Sequence, residues 1–204
     1  MSATPGSAPV AGNVYDKYGS ANPVVRRMMG SFLAALDALV ADVAPASILD
    51  VGCGEGIVTR RMAASSAARV AGLDVDSPRL RAAWARAGAG VEYVVGDAQA
   101  LPFGDDAFDL VSLVEMLQLV ERPDRAVAEA ARVARSAVLV TVPREPLWRA
   151  LNVARGAYVG ALGDTPGHRH HWSQRAIVGL VSAHARVVAV RSAVPWTLVL
   201  ARPG

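Results

Sequence analysis

The stretch Ser47-Ile-Leu-Asp-Val-Gly-Cys-Gly-Glu-Gly56 decides the fold, because an apolar run leads directly into a glycine-rich turn. Ser47–Val51 predicts a short strand, and a helical pattern follows from Gly56 to Ala68. Glycines at a strand-to-helix turn permit unusual backbone dihedrals and let the main chain approach a ligand closely. A glycine run alone is weak evidence for a binding site, so its meaning depends on the rest of the chain.

The alternation of apolar strands and amphipathic helices recurs along the chain. Further strands are predicted at Arg69–Leu73, Val91–Val95, Phe108–Val114 and Ala137–Val142. Further helices are predicted at Pro23–Val40, Ser77–Ala87 and Pro123–Ala134. Strands that are apolar throughout are typical of a parallel sheet covered on both faces. The pattern therefore predicts a doubly wound α/β domain.

The pattern changes after Pro143. Leu147–Leu162 predicts a helix, Gly163–Trp172 a loop, and Ser173 caps a helix that reaches about Ala185. Two strands then follow without a helix between them, at Arg186–Arg191 and Trp196–Ala201. We expect them to pair as an antiparallel hairpin at the edge of the sheet.

Length and composition fit one soluble globular domain. The chain has 204 residues, of which 52% are hydrophobic and 19% are charged, which excludes a disordered tail or an acidic scaffold. Cys53 is the single cysteine and cannot form an internal disulfide. The longest uncharged apolar runs are far shorter than the ~20 residues of a membrane span, and no signal-peptide pattern opens the chain. We expect a cytoplasmic protein without stable membrane insertion, with a mobile tail at residues 1–14.

The positive charge lies in the last third of the chain. The formal net charge is +3, yet Val142–Gly204 carries eight arginines against Glu145 and Asp164. A solvated helical face is the expected explanation, and an anionic substrate or lipid surface is the alternative.

Two carboxylates give the glycine turn its chemical context. Asp74 ends the second predicted strand, where an acidic group meets the hydroxyls of a ribose, and Asp97 ends the third. An ionised carboxylate accepts hydrogen bonds only, which suits the amino group of adenine. A nicotinamide cofactor fits less well, because Ile57 occupies the position where its fingerprint needs a small residue. The expected ligand is an adenine nucleoside without phosphates.

The motifs and their order resemble those of class I S-adenosylmethionine-dependent methyltransferases, in the small-molecule branch often labelled type 11. The matching segments are Ile48–Gly56, Gly72–Asp76, Gly96–Ala98, Leu101–Phe103, Phe108–Val111 and Glu115–Leu117. The resemblance covers about Pro45–Pro143. It implies a Rossmann-like seven-stranded sheet in the order 3-2-1-4-5-7-6, mostly parallel with an antiparallel C-terminal hairpin. In place of the family's Pro-Gly-Gly loop before the fifth strand, this chain has the shorter Arg135-Ser136-Ala137.

The resemblance also implies which residues hold the cofactor, S-adenosylmethionine. Gly52 and Gly54 lie against its methionine part with Asp50 supporting the turn, Asp74 holds the ribose, and Asp97 with Ala98 holds the adenine. Val114 and Glu115, at the end of the fourth strand, face the methionine and the acceptor. The full set of expected cofactor contacts is Tyr18, Asp50, Gly52, Cys53, Gly54, Asp74, Val75, Asp97, Ala98 and Val114. Asp76 is the alternative to Asp74, although a place near the start of the next helix suits it better.

Other candidates lie outside the motifs. Tyr18 either covers the cofactor, where an aromatic ring attracts a sulfonium, or anchors the N-terminal segment. Glu115, His168 and His171 are the candidate catalytic residues, since a carboxylate or imidazole can take a proton from the acceptor. Hydrogen bonds to the backbone are the alternative role for the histidines. No metal site is expected, because the adjacent histidines cannot readily share one ion. Trp148, Trp172 and Trp196 either wall a substrate pocket or belong to the core, and for Trp196 we favour the core.

The sequence thus predicts a methyltransferase that acts on an oxygen or nitrogen of a small molecule. Its expected parts are a cap helix at 15–42, a cofactor-binding core at 45–143, substrate-pocket elements at 144–186 and an edge hairpin at 187–204, within one domain at 15–204. We expect a monomer or homodimer that does not bind nucleic acid. The alternatives are a quinone or lipid methyltransferase at a membrane surface, an NAD(P)-dependent reductase, and a non-catalytic nucleoside-binding protein.

Overall fold

The computed structural model describes residues 18–87, 90–154, 156 and 158–204 and contains one seven-stranded sheet. Its strands are β1 (Ser47–Val51), β2 (Arg69–Asp74), β3 (Glu92–Val95), β4 (Phe108–Val114), β5 (Ala134–Pro143), β6 (Ala185–Ala193) and β7 (Trp196–Pro203). The spatial order is β3-β2-β1-β4-β5-β7-β6. The first five strands are parallel, and β7 runs antiparallel to both β5 and β6. The predicted fold class and strand order are confirmed.

Helices cover both faces of the sheet. They are α1 (Pro23–Val43), α2 (Ile57–Ser65), α3 (Pro78–Arg86), α4 (Pro123–Val133), α5 (Leu147–Ala154) and α6 (Gln174–Ser182), with a short 3₁₀ helix at Val159–Ala161. Buried side chains of α1 and α2 pack on one face of the sheet, and those of α4 and α6 pack on the other. This double cover explains why the central strands are apolar throughout.

Local sequence signals set several helix starts. The side chain of Asn22 accepts hydrogen bonds from the backbone N–H groups of Val24 and Val25, and Pro23 occupies the first helical turn. A proline also opens α3 and α4, where its missing N–H costs no helical hydrogen bond. Ser173 caps α6 as predicted, accepting from the backbone of Ala176.

The predicted helix Leu147–Leu162 is wrong in its second half. The helix α5 ends at Ala154, and only Val159–Ala161 forms a further, 3₁₀ turn. Gly156 and Tyr158 both adopt positive φ angles, of 75° and 55°, which an α-helix cannot contain. The apolar pattern therefore continues while the backbone breaks.

The predicted loop at Arg135–Ala137 is also wrong, because β5 begins at Ala134 directly after α4. The guanidinium of Arg135 reaches across to β4, donating to the Asp109 carboxylate at 2.9 Å and to the Asp106 carbonyl at 2.7 Å. These bonds hold the early residues of β5 against β4. Smaller differences concern helix ends: α1 extends to Val43, while the helices predicted to reach Ala68 and about Ala185 end at Ser65 and Ser182.

The predicted tail at residues 1–14 lies outside the described residues. The division of the chain into cap, core, pocket elements and hairpin stays a prediction.

The carboxyl ends of the parallel strands share one edge of the sheet, which we call the carboxyl edge. β7 begins at this edge too, because Trp196 pairs with Pro143 at the end of β5. The turn after β1, the ends of β2 and β3, and the residues after β4 and β5 are thus neighbours. Ligands of open α/β sheets bind in a crevice at this edge.

Phe32 tests how α1 packs on the sheet. Its ring is fully buried, with its centroid 4.9 Å from that of Trp196. We expect Phe32→Ala to lower the free energy of unfolding by about 3–5 kcal/mol, because the lost ring leaves a cavity. Urea unfolding measures this change. The control Val24→Ala, at an exposed site, should change it by less than about 0.5 kcal/mol, and equal stability of both variants would contradict this packing.

Candidate active site

The glycine turn between β1 and α2 is bound to the end of β2. The backbone N–H groups of Gly52 and Cys53 both donate to the Leu73 carbonyl, at 2.7 and 3.1 Å. Gly52 has a φ of 71°, and a Cβ atom there would lie 2.7 Å from the Cβ of Met116. Gly56 has a φ of 75°, and a side chain there would collide with the Tyr93 hydroxyl. Packing therefore requires glycine at both positions before any ligand is considered.

Asp50 supports the turn from inside the protein. Its side chain is only 1% exposed, and its two oxygens accept from the Thr59 hydroxyl at 2.7 Å and the Ser112 hydroxyl at 2.8 Å. Burial raises the pKa of Asp50 to about 6, although both hydrogen bonds oppose the shift. Asp50 thus joins β1 to α2 and β4. The sequence did not indicate its partners, which lie 9 and 62 positions away.

Asp74 ends β2 beside the same turn. One carboxylate oxygen accepts from the Gly54 N–H and the other from the Val75 N–H, both at 2.7 Å. Burial raises the pKa of Asp74, while these two bonds oppose the shift. A carboxylate offers about four acceptor positions, so two remain for hydroxyl donors. Asp76 is exposed and pairs with Arg81 instead, which supports Asp74 as the ribose candidate.

Asp97 and Ala98 follow β3 at the next position along the edge. The Gly96 N–H donates to the Asp74 carbonyl at 2.9 Å, which places the two strand ends side by side. Asp97 is exposed, and its Oδ1 accepts from the Gln99 backbone at 2.9 Å. Ala98 is buried. The Asp97 carboxylate can therefore meet a ligand from the solvent side.

Trp84 is a site residue that sequence reasoning missed. Its indole N–H donates to the Gly54 carbonyl at 2.8 Å, and its ring stacks on Tyr93 with centroids 5.1 Å apart. A tryptophan on α3 thus holds the middle of the glycine turn. The apolar pattern of α3 gave no signal for this contact.

Glu115 lies directly after β4 in a strained conformation. Its φ is 53°, unusual for a residue with a side chain, and its N–H donates to the Thr141 carbonyl at 3.0 Å. The carboxylate accepts from the Trp196 indole at 2.7 Å and from the Tyr18 hydroxyl. Strain of this kind persists where surrounding contacts fix the residue, often at functional sites.

Tyr18 is bonded to Glu115 and lies near the charges of the glycine turn. Burial raises the pKa of its hydroxyl, and the charges of Glu115, Asp50 and Glu55 raise it further. The tyrosine also packs against the core cluster that contains α1. Tyr18 therefore ties the start of the described chain to the core beside Glu115.

Comparison with known proteins identifies the family to which the central segment of the chain is similar. Residues 49–141, from the first strand to the fifth, match the family model described as a methyltransferase domain. This segment belongs to the class I S-adenosylmethionine-dependent methyltransferases and makes up just under half of the chain. The family predicted from the motifs is confirmed, and S-adenosylmethionine is its methyl donor.

The chain spans between about a third and a half of the length of the curated relatives it matches. Fatty-acid O-methyltransferase of Mycolicibacterium smegmatis is 42% identical over 97 residues, which span 47% of this chain and 35% of that protein. Two solved structures share the fold. Magnesium protoporphyrin IX methyltransferase of Synechocystis PCC 6803, solved with bound SAH, has a TM-score of 0.66 at 19% identity over 93% of this chain and 94% of its own. The [4+2]-cyclase SpnF has a TM-score of 0.61 at 21% identity over 83% and 81%.

A loop follows α5 in the segment where the sequence predicts the substrate pocket. The backbone N–H of Arg169 donates to the Gln118 carbonyl at 2.7 Å, and the His170 imidazole bonds to the Val120 carbonyl at 3.1 Å. The indole of Trp148 donates to the Thr165 hydroxyl at 2.9 Å. These bonds fix the loop beside the residues that follow β4.

Within this loop, His171 pairs with a carboxylate. Its Nε2 lies 2.8 Å from Oδ1 of Asp164, and both side chains are about one-third exposed. Although burial raises it, the hydrogen bond with His171 holds the pKa of Asp164 below its usual range. The His168 ring lies 6.5 Å from that of His171. The sequence indicated the histidines but not their carboxylate partner.

Trp196 belongs to the core, as we favoured, and it also contacts the site. It is almost fully buried, and its ring centroid lies 5.8 Å from that of Trp148. Its indole N–H is the group that holds Glu115. Core packing alone would not have indicated this contact.

Cys53 is a protonated turn residue. Burial raises the pKa of its thiol well above the usual range, and the nearby Asp50 and Asp74 add to the shift. A nucleophilic cysteine needs the opposite shift. Among the residues that the structure describes, no group of three or more His, Cys, Asp and Glu side chains is placed to bind a metal ion.

The raised pKa of Asp50 predicts a specific pH dependence of stability. The folded state favours the protonated carboxyl, so its contribution to stability is full below pH 3.8 and is lost as the pH rises through about 6. Relative to Asp50→Asn, which cannot titrate, we expect the wild type to lose about 2–3 kcal/mol of unfolding free energy across this range. Urea unfolding without cofactor measures the difference.

The control for this prediction is Asp76→Asn. Its carboxyl is exposed, and the hydrogen bond from Arg81 lowers its pKa, so it should titrate below this range. A parallel pH profile for wild type and Asp50→Asn would show that Asp50 has an ordinary pKa.

Proposed function

We propose that this methyltransferase transfers a methyl group from S-adenosylmethionine to a hydroxyl or amine of a small molecule. The observation that carries the proposal is the joining of the glycine turn, Asp74 and Asp97 at adjacent strand ends. Gly54 binds Asp74 directly, and Gly96 binds the Asp74 backbone. The Asp74 carboxylate keeps acceptor positions for the two ribose hydroxyls. An adenine nucleoside fits such an edge better than a dinucleotide does, because Ile57 occupies the position at the start of α2 where a pyrophosphate-binding turn needs a small residue.

The remaining contacts follow from this placement. Asp97 accepts from the adenine amine, the Ala98 amide faces the ring, and Gly52 with Cys53 lines the methionine part. Val75 adjoins the ribose, Val114 supports the methionine, and Tyr18 closes over it. The bound cofactor supplies a methyl group already activated by its positive sulfur. The chain's own task is to orient the acceptor and exclude water.

Glu115 lies at the methionine side and is held by two donors, the Trp196 indole and the Tyr18 hydroxyl. About two of the four acceptor positions of its carboxylate remain, which is enough for the ammonium group of the methionine part. The arrangement therefore favours binding of a cationic group over acceptance of a proton.

His171 is the better candidate for proton acceptance. Because Asp164 binds its Nε2, the hydrogen stays on that nitrogen and Nδ1 is left as the base. A hydroxyl or amine acceptor loses a proton during methyl transfer, and an imidazole is suited to take it near neutral pH. His168 lies near His171 and can contact the same acceptor.

The acceptor class is the least defined part of the proposal. Among the described residues outside the cofactor-binding core, those between β5 and β6 can line its pocket, and this short segment favours a small molecule. The relative from Mycolicibacterium smegmatis is named for fatty acids, which favours an acceptor with an apolar chain and keeps a lipid or quinone as the second candidate. The likeness to a cyclase shows that this fold also serves another reaction.

The proposed function is tested by calorimetry and product analysis. We expect S-adenosylmethionine and S-adenosylhomocysteine to bind, and NAD(P)H not to bind. Incubation with alcohols, phenols, amines, fatty acids and quinols should yield S-adenosylhomocysteine with at least one of them. Binding of NAD(P)H alone would support a reductase. Cofactor binding without product from any acceptor would support a non-catalytic nucleoside-binding protein.

Asp74 tests the placement of the ribose. We expect Asp74→Asn to weaken S-adenosylhomocysteine binding by about 1–3 kcal/mol, because charge-assisted hydrogen bonds to the hydroxyls are lost. Calorimetric titration measures the affinity. Asp76→Asn, two residues away and exposed, is the matched control and should bind as the wild type does. Equal losses of affinity in both variants would show that Asp74 does not bind the ribose.

His171 tests the proton step. With a hydroxyl or amine acceptor, we expect His171→Gln to lower kcat about 100-fold while cofactor affinity stays unchanged. The loss should fall on kcat, while the KM for S-adenosylmethionine stays unchanged. His184→Gln is the control, because it breaks a second histidine–carboxylate pair, with Asp124 at 2.7 Å. Equal kcat values in His171→Gln and His184→Gln would exclude His171 as the base.

A further inference from the structure

Large apolar side chains are exposed on several segments of the described chain. Among the described residues, the large exposed ones are Val24, Val95, Val153, Val159, Leu162, Val188, Val190 and Val194. Val24, Val153, Val159, Leu162 and Val194 lie at the start of α1, on the α5-to-loop segment and in the β6–β7 turn. We call these five residues the acceptor rim. Leu162 is 72% exposed and Val159 54%, and they lie three residues apart on the segment after α5.

Contacts below the rim bring its segments together. The Trp196 ring packs against Phe32 of α1 and against Trp148 of α5. The Arg144 N–H donates to the Pro195 carbonyl at 2.8 Å, which joins the β6–β7 turn to the start of α5. Three segments of the rim therefore adjoin the aromatic cluster of Phe32, Trp148 and Trp196, and Trp196 of this cluster holds Glu115.

Positive charge accompanies the apolar rim. Arg26 and Arg27 are exposed on the first turns of α1, and Arg169 and Arg175 are exposed on the loop and on α6. Of the two acidic residues after Pro143, Glu145 is half-buried and Asp164 is paired with His171. The solvated-face explanation of the basic excess does not account for apolar side chains among the charges.

We propose that the acceptor rim docks on an anionic lipid bilayer. Valine and leucine side chains enter the headgroup boundary, while the surrounding arginines meet phosphate groups. No helix in the described part of the chain is long and apolar enough to span a bilayer. An anionic bilayer can bind both the arginines and the apolar side chains of the rim. An acidic protein partner would account for the arginines but not for the exposed valines. The docking does not depend on the proposed function. Only the purpose we assign to it, access to a lipophilic acceptor, rests on the proposed function.

Vesicle cosedimentation of the full chain tests the docking. We expect binding to vesicles of phosphatidylglycerol and phosphatidylcholine in equal parts, weaker binding at high salt, and little binding to phosphatidylcholine alone. Val159→Asp with Leu162→Asp should lower the partition coefficient by about tenfold or more, since two apolar contacts are lost. Arg169→Glu with Arg175→Glu should lower it similarly on anionic vesicles.

Val188→Asp with Val190→Asp is the matched control, because it adds the same charge at exposed valines of the edge strand β6. It should bind vesicles as the wild type does. Absence of binding at low salt, or equal losses in the rim and control variants, would overturn the docking. So would capture of an acidic carrier protein without any vesicle binding. Calorimetry of S-adenosylhomocysteine on every variant reports the cofactor site separately, so failure of either proposal is distinguishable.

Discussion

The buried carboxylate of Asp50 is the constraint on which the candidate site depends. Burying a charge is costly unless hydrogen bonds compensate, and hydroxyls from α2 and β4 do so here. The same two bonds fix the end of β1 relative to its neighbours. The glycine turn starts two residues later and is held from its other side by Asp74 and Trp84. The turn is therefore shaped before any ligand binds, which reduces the entropy lost on binding.

Glu115 plays the corresponding part at the other end of the candidate site, after β4. Contacts from four segments converge on it: Tyr18 before α1, Gln118 after β4, Thr141 on β5 and Trp196 on β7. Its left-handed backbone is strained, and these contacts keep it in place. The candidate site thus combines the carboxyl edge of the sheet, which lies within the family match at residues 49–141, with Tyr18 and Trp196, which lie outside that match. Specificity for the acceptor is expected to come from the latter.

The sequence predicted what depends on local pattern. Apolar runs located the five parallel strands, and the missing helix between Arg191 and Trp196 indicated the hairpin. Asp74 followed from its place at a strand end. Contacts between distant residues could not be read in this way: Trp196 and Glu115 are 81 positions apart, and Arg135 reaches back to Asp109. The break after Ala154 escaped because apolar residues continue across Gly156, where the backbone, not the pattern, ends the helix.

The placement of the cofactor between the glycine turn and Glu115 is tested most directly by isotope-edited NMR of bound S-adenosylmethionine labelled with ¹³C in its methyl group. If Tyr18 and Glu115 close over the methionine part, nuclear Overhauser effects connect this methyl group to protons of the Tyr18 ring and of Val114. Effects that reach only residues near Asp97 and Gln99, or none in this region, would contradict that placement.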